Sequence, residues 1–282
     1  NDDNDDNDDN DDNDDNDDTV NLPSKGKKQI STDFSANAGG ERSIYISVPN
    51  NYSNNTAHKL VVVFAGTNGT GKGMQSWMGD GWSSSTTGGL EGNMTNTIFV
   101  YPDPKIRDFP SWGLTDTGGW LLGSYGGAAA GNEDINFIRQ LLTLIEGEYN
   151  IDSDRIFATG QSWGGDMSAI MACYLGDKFR AVAPCAANRP YWFENNGSLL
   201  SDAALGCSGG TAVWTFFGKG DEHFASQQDY DGEYGEEQND YWTNKYGCAV
   251  TTTVLSVGGM SGESLEYQNC TAKVRYTSYS AG

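Results

Sequence analysis

Residues 155–165 read Arg-Ile-Phe-Ala-Thr-Gly-Gln-Ser-Trp-Gly-Gly, and no other stretch restricts the possible fold as much. Ile156, Phe157 and Ala158 make an apolar strand, and Met167, Ile170, Met171 and Tyr174 follow at helical spacing. Between them, Gly160-Gln161-Ser162-Trp163-Gly164 is a G-x-S-x-G pattern, which holds a serine on a strained strand-to-helix turn with its hydroxyl facing a pocket. Bulky residues flanking so sharp a turn would collide, and glycine at 160 and 164 removes that obstacle. A chain with 37 glycines produces this pattern easily by chance. The strand before it and the helix after it are what mark Ser162 as a nucleophile.

Strand-like segments recur at 42–48, 60–65, 97–101, 155–158, 181–186, 212–217 and 273–279. Several are apolar throughout, such as Leu60-Val61-Val62-Val63-Phe64-Ala65, which predicts strands buried on both faces of a parallel sheet. Helical patterns lie between them, the clearest at Ile135, Ile138, Leu141, Leu142, Ile145 and Tyr149, with Asn132 as its N-cap. The alternation predicts a three-layer α/β sandwich around a mostly parallel central sheet, with the reactive site at the carboxyl ends of the strands.

The residues just after each strand are therefore the ones to inspect. Gly66-Thr67-Asn68-Gly69-Thr70-Gly71 follows the strand at 60–65, and its backbone can approach a ligand closely. In serine hydrolases such a loop gives one oxyanion-hole N–H and the residue after the nucleophile gives the other, so the expected donors are the backbone groups of Thr67 and Trp163. The spacing around Lys72 does not match a phosphate-binding loop. After the strand at 212–217 comes Gly218-Lys219-Gly220-Asp221, which puts Asp221 where the acid of a Ser, acid, His order belongs, with Glu222 as a less well placed alternative.

The base is harder to place, because only His58 and His223 exist. His58 precedes its strand, at the wrong end of the sheet, and reads as a surface residue. His223 is at the correct end, but two residues from Asp221 leave it little room to reach both the acid and Ser162. It reads as a loop or pocket-lining residue and, failing another, as a stand-in base.

Composition limits the setting. The first 18 residues are six Asn-Asp-Asp repeats with nothing apolar to bury, so 1–18 reads as a solvated linker and 19–282 as one domain. Without the 12 repeat aspartates, 27 acidic residues still outnumber 17 basic ones, which argues against nucleic acid as a partner. No apolar run of 18 residues exists to span a membrane. Five cysteines and the sequons at Asn51, Asn54, Asn68, Asn93, Asn196 and Asn269 fit a secreted protein. Two disulfides and one leftover thiol are expected, with Cys248 paired to Cys270. A chain that opens in a linker is expected to come from a longer modular protein with another module before it.

From Gly26 onward the chain resembles the secreted feruloyl esterases of carbohydrate esterase family 1, with the related acetyl xylan esterases and polyhydroxybutyrate depolymerases. The resemblance rests on 44–52 (Ile-Tyr-Ile-Ser-Val-Pro-Asn-Asn-Tyr), 60–66, Val100-Tyr101-Pro102, Asn150-Ile151-Asp152, the Ser162 turn, 179–186 and 217–221. It implies an α/β-hydrolase fold, Ser162 as nucleophile, Asp221 as acid, no metal or cofactor, and a histidine directly after the last strand. That histidine is expected just beyond Gly282, which would make the chain a fragment at its C-terminus as well. The family's His-Gly before the oxyanion loop is Ala65-Gly66 here, a change in the support of that loop.

Trp77, Trp82, Trp120, Tyr191 and Trp192 read as loop aromatics whose flat faces suit a phenolic acyl group or a sugar ring. The expected substrate is feruloylated arabinoxylan, with acetylated xylan as the alternative. A rival of another class is a carbohydrate-binding module that keeps a hydrolase fold without its base.

Overall fold

The computed structural model describes residues 20–81, 88–110, 113–122, 132–188, 194–195, 198–199, 210–221, 233–255 and 262–279. Its elements are β1 (Gly26–Asp33), β2 (Glu41–Val48), β3 (His58–Phe64), α1 (Gly71–Met74), α2 (Leu90–Asn93), β4 (Thr97–Pro102), β5 (Lys105–Phe109), β6 (Leu114–Gly119), α3 (Glu133–Glu148), β7 (Ile151–Gln161), α4 (Trp163–Tyr174), β8 (Ala181–Cys185), β9 (Glu194–Asn195), β10 (Ser198–Leu199), β11 (Ala212–Gly218), α5 (Glu233–Lys245), β12 (Ala249–Leu255), β13 (Gly262–Gln268) and β14 (Val274–Tyr279). Ten strands form one sheet in the order β1-β2-β4-β3-β7-β8-β11-β14-β13-β12. The six from β4 to β14 are mutually parallel, and β1, β2, β13 and β12 extend the two edges antiparallel. This is the α/β-hydrolase architecture, a mostly parallel sheet between helical layers.

The sequence explains why the centre is parallel. β3 is buried from Leu60 to Phe64. Leu60, Val62 and Phe64 join Ile138 and Leu142 of α3 and Met167 and Ile170 of α4 in one core cluster. Val61 and Val63 join Met74, Phe99 and Tyr101 in another on the opposite face. A strand apolar on both faces gains only where helices cover both, each fully buried side chain contributing about 1.5–3 kcal/mol. α4 crosses the middle of the molecule and is buried from Trp163 to Cys173, so it carries almost no polar face.

All seven expected strands form, although β7 begins at Ile151, earlier than 155. Two local expectations fail. Asn132 occupies the N-cap position of α3 but makes no side-chain cap bond; Glu133 and Asp134 stand in the first turn, where carboxylates favour the positive helix end. His58 is 1% exposed, not on the surface: it packs on Tyr52 with ring centroids 4.8 Å apart, and its Nδ1 lies 2.6 Å from Thr56 O. Burial suits it because the imidazole finds both a ring to pack on and a backbone partner.

Cys248 and Cys270 are joined, as expected, and Cys173 is also disulfide-bonded. Cys185 is the free thiol among the described residues, and Cys207 lies outside them.

Candidate active site

β7 ends at Gln161, α4 begins at Trp163, and Ser162 turns the chain between them at φ 57° and ψ −127°. A non-glycine residue held at positive φ is strained, and the strain persists only where the surroundings enforce it. Here they do. A Cβ on Gly164 would collide with the carbonyl oxygens of Phe64 and Ala65, and one on Gly160 would collide with those of Gly164 and Phe64. One on Gly165 would meet Cys185 O at 2.6 Å. The Ser162 N–H donates to Cys185 O at 3.0 Å, and its own carbonyl accepts the Asp166 N–H at 3.0 Å, the first bond of α4. Gly160 and Gly164 of the motif therefore give room to the end of β3, and Gly165 after it to the end of β8, which press against the turn from two sides.

The loop after β3 meets the same turn. A Cβ on Gly66 would stand 3.3 Å from Ser162 Cβ, so the residue before Thr67 lies beside Ser162. Thr67 is exposed, and Gly69 N–H closes the turn onto Gly66 O at 2.9 Å. Trp163, the other expected donor, follows Ser162 as the first residue of α4, at the positive end of the helix. The two expected donors thus belong to segments that meet at the half-buried Ser162, an arrangement that would suit a developing oxyanion.

Asp221 lies at the same edge of the sheet. β11 pairs with β8 at Phe216 and Cys185 and with β14 at Gly218 and Tyr279. Lys219 N–H continues the pairing to Tyr279 O at 2.8 Å, and Asp221 N–H closes a turn onto Gly218 O at 3.2 Å. The carboxylate is close enough to be felt by its neighbours. Burial pushes the Cys185 thiol up, a hydrogen bond with Tyr279 opposes this, and the Asp221 charge adds to burial. The Tyr279 phenol is also raised, by burial first and then by Cys185 and Asp221. Cys185, whose carbonyl accepts the Ser162 N–H and whose thiol feels Asp221, is therefore held as a neutral thiol and is poorly suited to attack.

A second carboxyl near the elbow has a different environment. Asp166 is 1% exposed, and burial pushes its pKa up to about 8 against hydrogen bonds from Asn188 N–H at 2.6 Å and Asn188 Nδ2 at 2.7 Å. Asn188 O accepts from Gln238 Nε2 at 2.5 Å, and Gln238 Oε1 accepts from Trp242 Nε1 at 3.2 Å. The chain of bonds ties the elbow helix to the end of β8 and to α5. The sequence offered no sign of it, since its members are up to 76 positions apart.

The expected residues divide as follows. Ser162, Thr67, Trp163 and Asp221 lie together at the carboxyl ends of the central strands. Trp77 is 39% exposed in the helical turn after α1. Trp120 is fully buried, which corrects its reading as a substrate contact: its indole N–H donates to Ala65 O at 2.8 Å, and its ring packs edge-on against Phe64 at 5.4 Å. A tryptophan after two glycines looks exposed in sequence, but its partner lies 55 residues away. Trp82, Tyr191, Trp192 and His223 lie outside the described residues, as does Glu222. His58 pairs with Ile151 at the start of β7, whereas Ser162 follows the end of that strand, roughly 30 Å along the sheet. It cannot serve as the base. Among the described residues no cluster of metal-ligating side chains is found.

A family model described as "Putative esterase" matches residues 35–245. The chain is 26% identical to feruloyl esterase C of Emericella nidulans over 265 residues, covering 93% of this chain and 83% of that protein. It is 26% identical to feruloyl esterase D of Neurospora crassa over 241 residues, 82% and 69% of the two chains. A shorter match to an Aspergillus clavatus protein named as a feruloyl esterase C is 32% identical over 171 residues, 60% of this chain and about half (49%) of that one. Among solved structures, an acetyl xylan esterase from Aspergillus awamori superposes with a TM-score of 0.62 at 19% identity, over 90% of this chain and 92% of its own. A ferulic acid esterase from Anaeromyces mucronatus, in complex with ferulic acid, superposes with a TM-score of 0.51 at 16% identity, over 77% and 79%. At these identities the structures establish a shared fold.

Proposed function

The chain belongs to this esterase family, and from that premise we propose that it is a secreted serine esterase that releases ferulate from feruloylated arabinoxylan through an acyl-enzyme. The observation that carries the proposal is Ser162 at positive φ on the turn between β7 and α4, with the Gly66-Thr67 loop packed against it. In this reading Ser162 Oγ attacks the ester carbonyl carbon while a histidine base takes its proton, and the Thr67 and Trp163 N–H groups receive the charge on the carbonyl oxygen. The bond to the sugar oxygen breaks, the sugar leaves with the proton, and water attacks the acyl-enzyme to free the acid and Ser162. Asp221 orients the histidine and stabilises its charged form. The histidine lies outside the described residues. The scheme needs no metal or cofactor.

Relatives named feruloyl esterases support the choice of ester over most of the chain's length. Acetylated xylan is the second reading, supported by 28% identity over 201 residues to a protein from Aspergillus niger named as an acetylxylan esterase. The sequons and disulfides support secretion. Among the described residues no helix is long and apolar enough to cross a membrane.

The test is ferulate release from a feruloylated arabinoxylan oligosaccharide by the natural protein carrying these residues, beside its Ser162→Ala variant. The proposal expects release that falls by about 10⁶-fold in the variant. Release unaffected by the substitution would overturn the mechanism, and acetate release from acetylated xylan without ferulate release would overturn the substrate.

A further inference from the structure

The two oxyanion donors sit on different elements, and one hairpin lies against both. β5 and β6 stand outside the main sheet as a two-stranded unit. In β6, Gly118 N–H donates to Asn68 Oδ1 at 2.8 Å, and Gly118 O accepts the Asn68 N–H at 2.8 Å. A Cβ on the next residue, Gly119, would meet the Trp163 ring at 2.7 Å, and Phe109 of β5 packs on the same indole with centroids 4.6 Å apart. Trp120 then donates to Ala65 O. Three consecutive residues thus hold the loop of Thr67 on one side and Trp163 on the other.

The hairpin is itself anchored. Arg107 of β5 pairs with Glu133 at 3.2 Å and Asp134 at 3.3 Å, and Leu121 N–H donates to Asp134 Oδ2 at 2.7 Å. Asp134 is fully buried and also pairs with Arg42 at 2.5 Å, so these contacts are exchanged little with water. An immobile platform under both donors is what an oxyanion hole requires, because donors that must reorient during the reaction lose much of their effect.

Resting on the reading of Thr67 as a donor, we propose that Asn68 is a positioning residue whose side chain, caught by Gly118 N–H, fixes the direction of the Thr67 N–H toward Ser162. Asn68 has φ 56°, a left-handed conformation that asparagine and glycine adopt more readily than other residues. Two bonds at residue 68 and the Gly69-to-Gly66 bond enclose Thr67 from both sides. Asparagine satisfies both demands at once: its backbone tolerates the turn and its amide oxygen accepts from β6. Glycine would satisfy only the first, and alanine neither. The brace also answers a departure noted in the sequence, where Ala65 replaces a histidine: here the Ala65 carbonyl is secured from outside by Trp120.

The experiment compares Asn68→Gly and Asn68→Ala with the parent in the natural protein, reading kcat, KM and amide hydrogen exchange in 66–70. Asn68 also heads a sequon, so parent and variants are all made without N-glycans; the glycine variant then keeps the left-handed backbone and deletes only the side-chain acceptor. The inference expects its kcat to fall about tenfold with KM within about twofold, since losing a donor outright costs about 10²–10³. The alanine variant falls further, and amide exchange at 68 quickens in both. A glycine variant with parental kcat and parental protection would overturn the inference. So would a loss confined to KM, or one that follows the melting temperature alone. If the parent itself hydrolyses no ester, the proposed function fails instead, and exchange at residue 68 still decides whether the side chain holds the loop.

Discussion

The elbow around Ser162 and the loop carrying Asp221 share one edge of the sheet, yet they are fixed by different means. At the elbow, backbone meets backbone so closely that three glycines are needed to avoid collisions with β3 and β8. At the Asp221 loop, the described contacts include the continuation of strand pairing from Lys219 to Tyr279 and the turn bond from Asp221 N–H to Gly218 O. The two carboxyls follow the same division. Asp166 is sealed under the elbow helix and its pKa is raised to about 8, whereas Asp221 is half-buried and lies where its charge reaches Tyr279 and Cys185. On the proposed reading, the rigid turn suits a nucleophile that attacks from one place, and the acid has only to lie near the base.

The contrast predicts opposite signatures for the two carboxyls. Asp221→Asn should lower kcat by about 10⁴-fold through loss of imidazole orientation, with KM and the melting temperature little changed. A loss below tenfold would move the acid role elsewhere, Glu222 being next in sequence. Asp166 should show itself in stability. Its folded pKa lies above the usual carboxylate value, so the folded state holds a proton that the unfolded chain releases. Stability therefore declines as pH rises from about 4 to about 8, by on the order of 1 kcal/mol per pH unit, and levels off above. Asp166→Asn cannot titrate, so its melting temperature should gain on the parent's between pH 5 and pH 8. A difference that stays constant across that range would contradict the burial argument.

Much of this was legible in the sequence, for physical reasons. The parallel strands are apolar on both faces and stand out as continuous runs, and the elbow is legible because its constraints act within five residues. β1, β5, β6, β9, β10, β12 and β13 lie outside the seven expected strands: antiparallel strands at edges or in hairpins leave a face in water, so β1 reads Gly-Lys-Lys-Gln-Ile-Ser-Thr-Asp with only Ile30 buried. Trp120 and His58 were misread because a polar or amphipathic side chain looks exposed until its partner is known. Those partners, Ala65 O for the indole and the Tyr52 ring with Thr56 O for the imidazole, come from the folded chain. The Asp166-Asn188-Gln238 chain was hidden for the same reason. The expectation for Asp221 rests on chain order alone, with no use of the pairing of β11 and β14 that precedes it.

The central claim is that this fold presents Ser162 as an activated nucleophile. A fluorophosphonate probe, which forms a covalent bond with activated serines, tests it directly by peptide mass mapping of the natural protein. The account predicts a single adduct on the peptide containing Ser162, absent in Ser162→Ala and slowed in Asp221→Asn. An adduct on another residue, or ester hydrolysis that persists with Ser162 unlabelled, would contradict it.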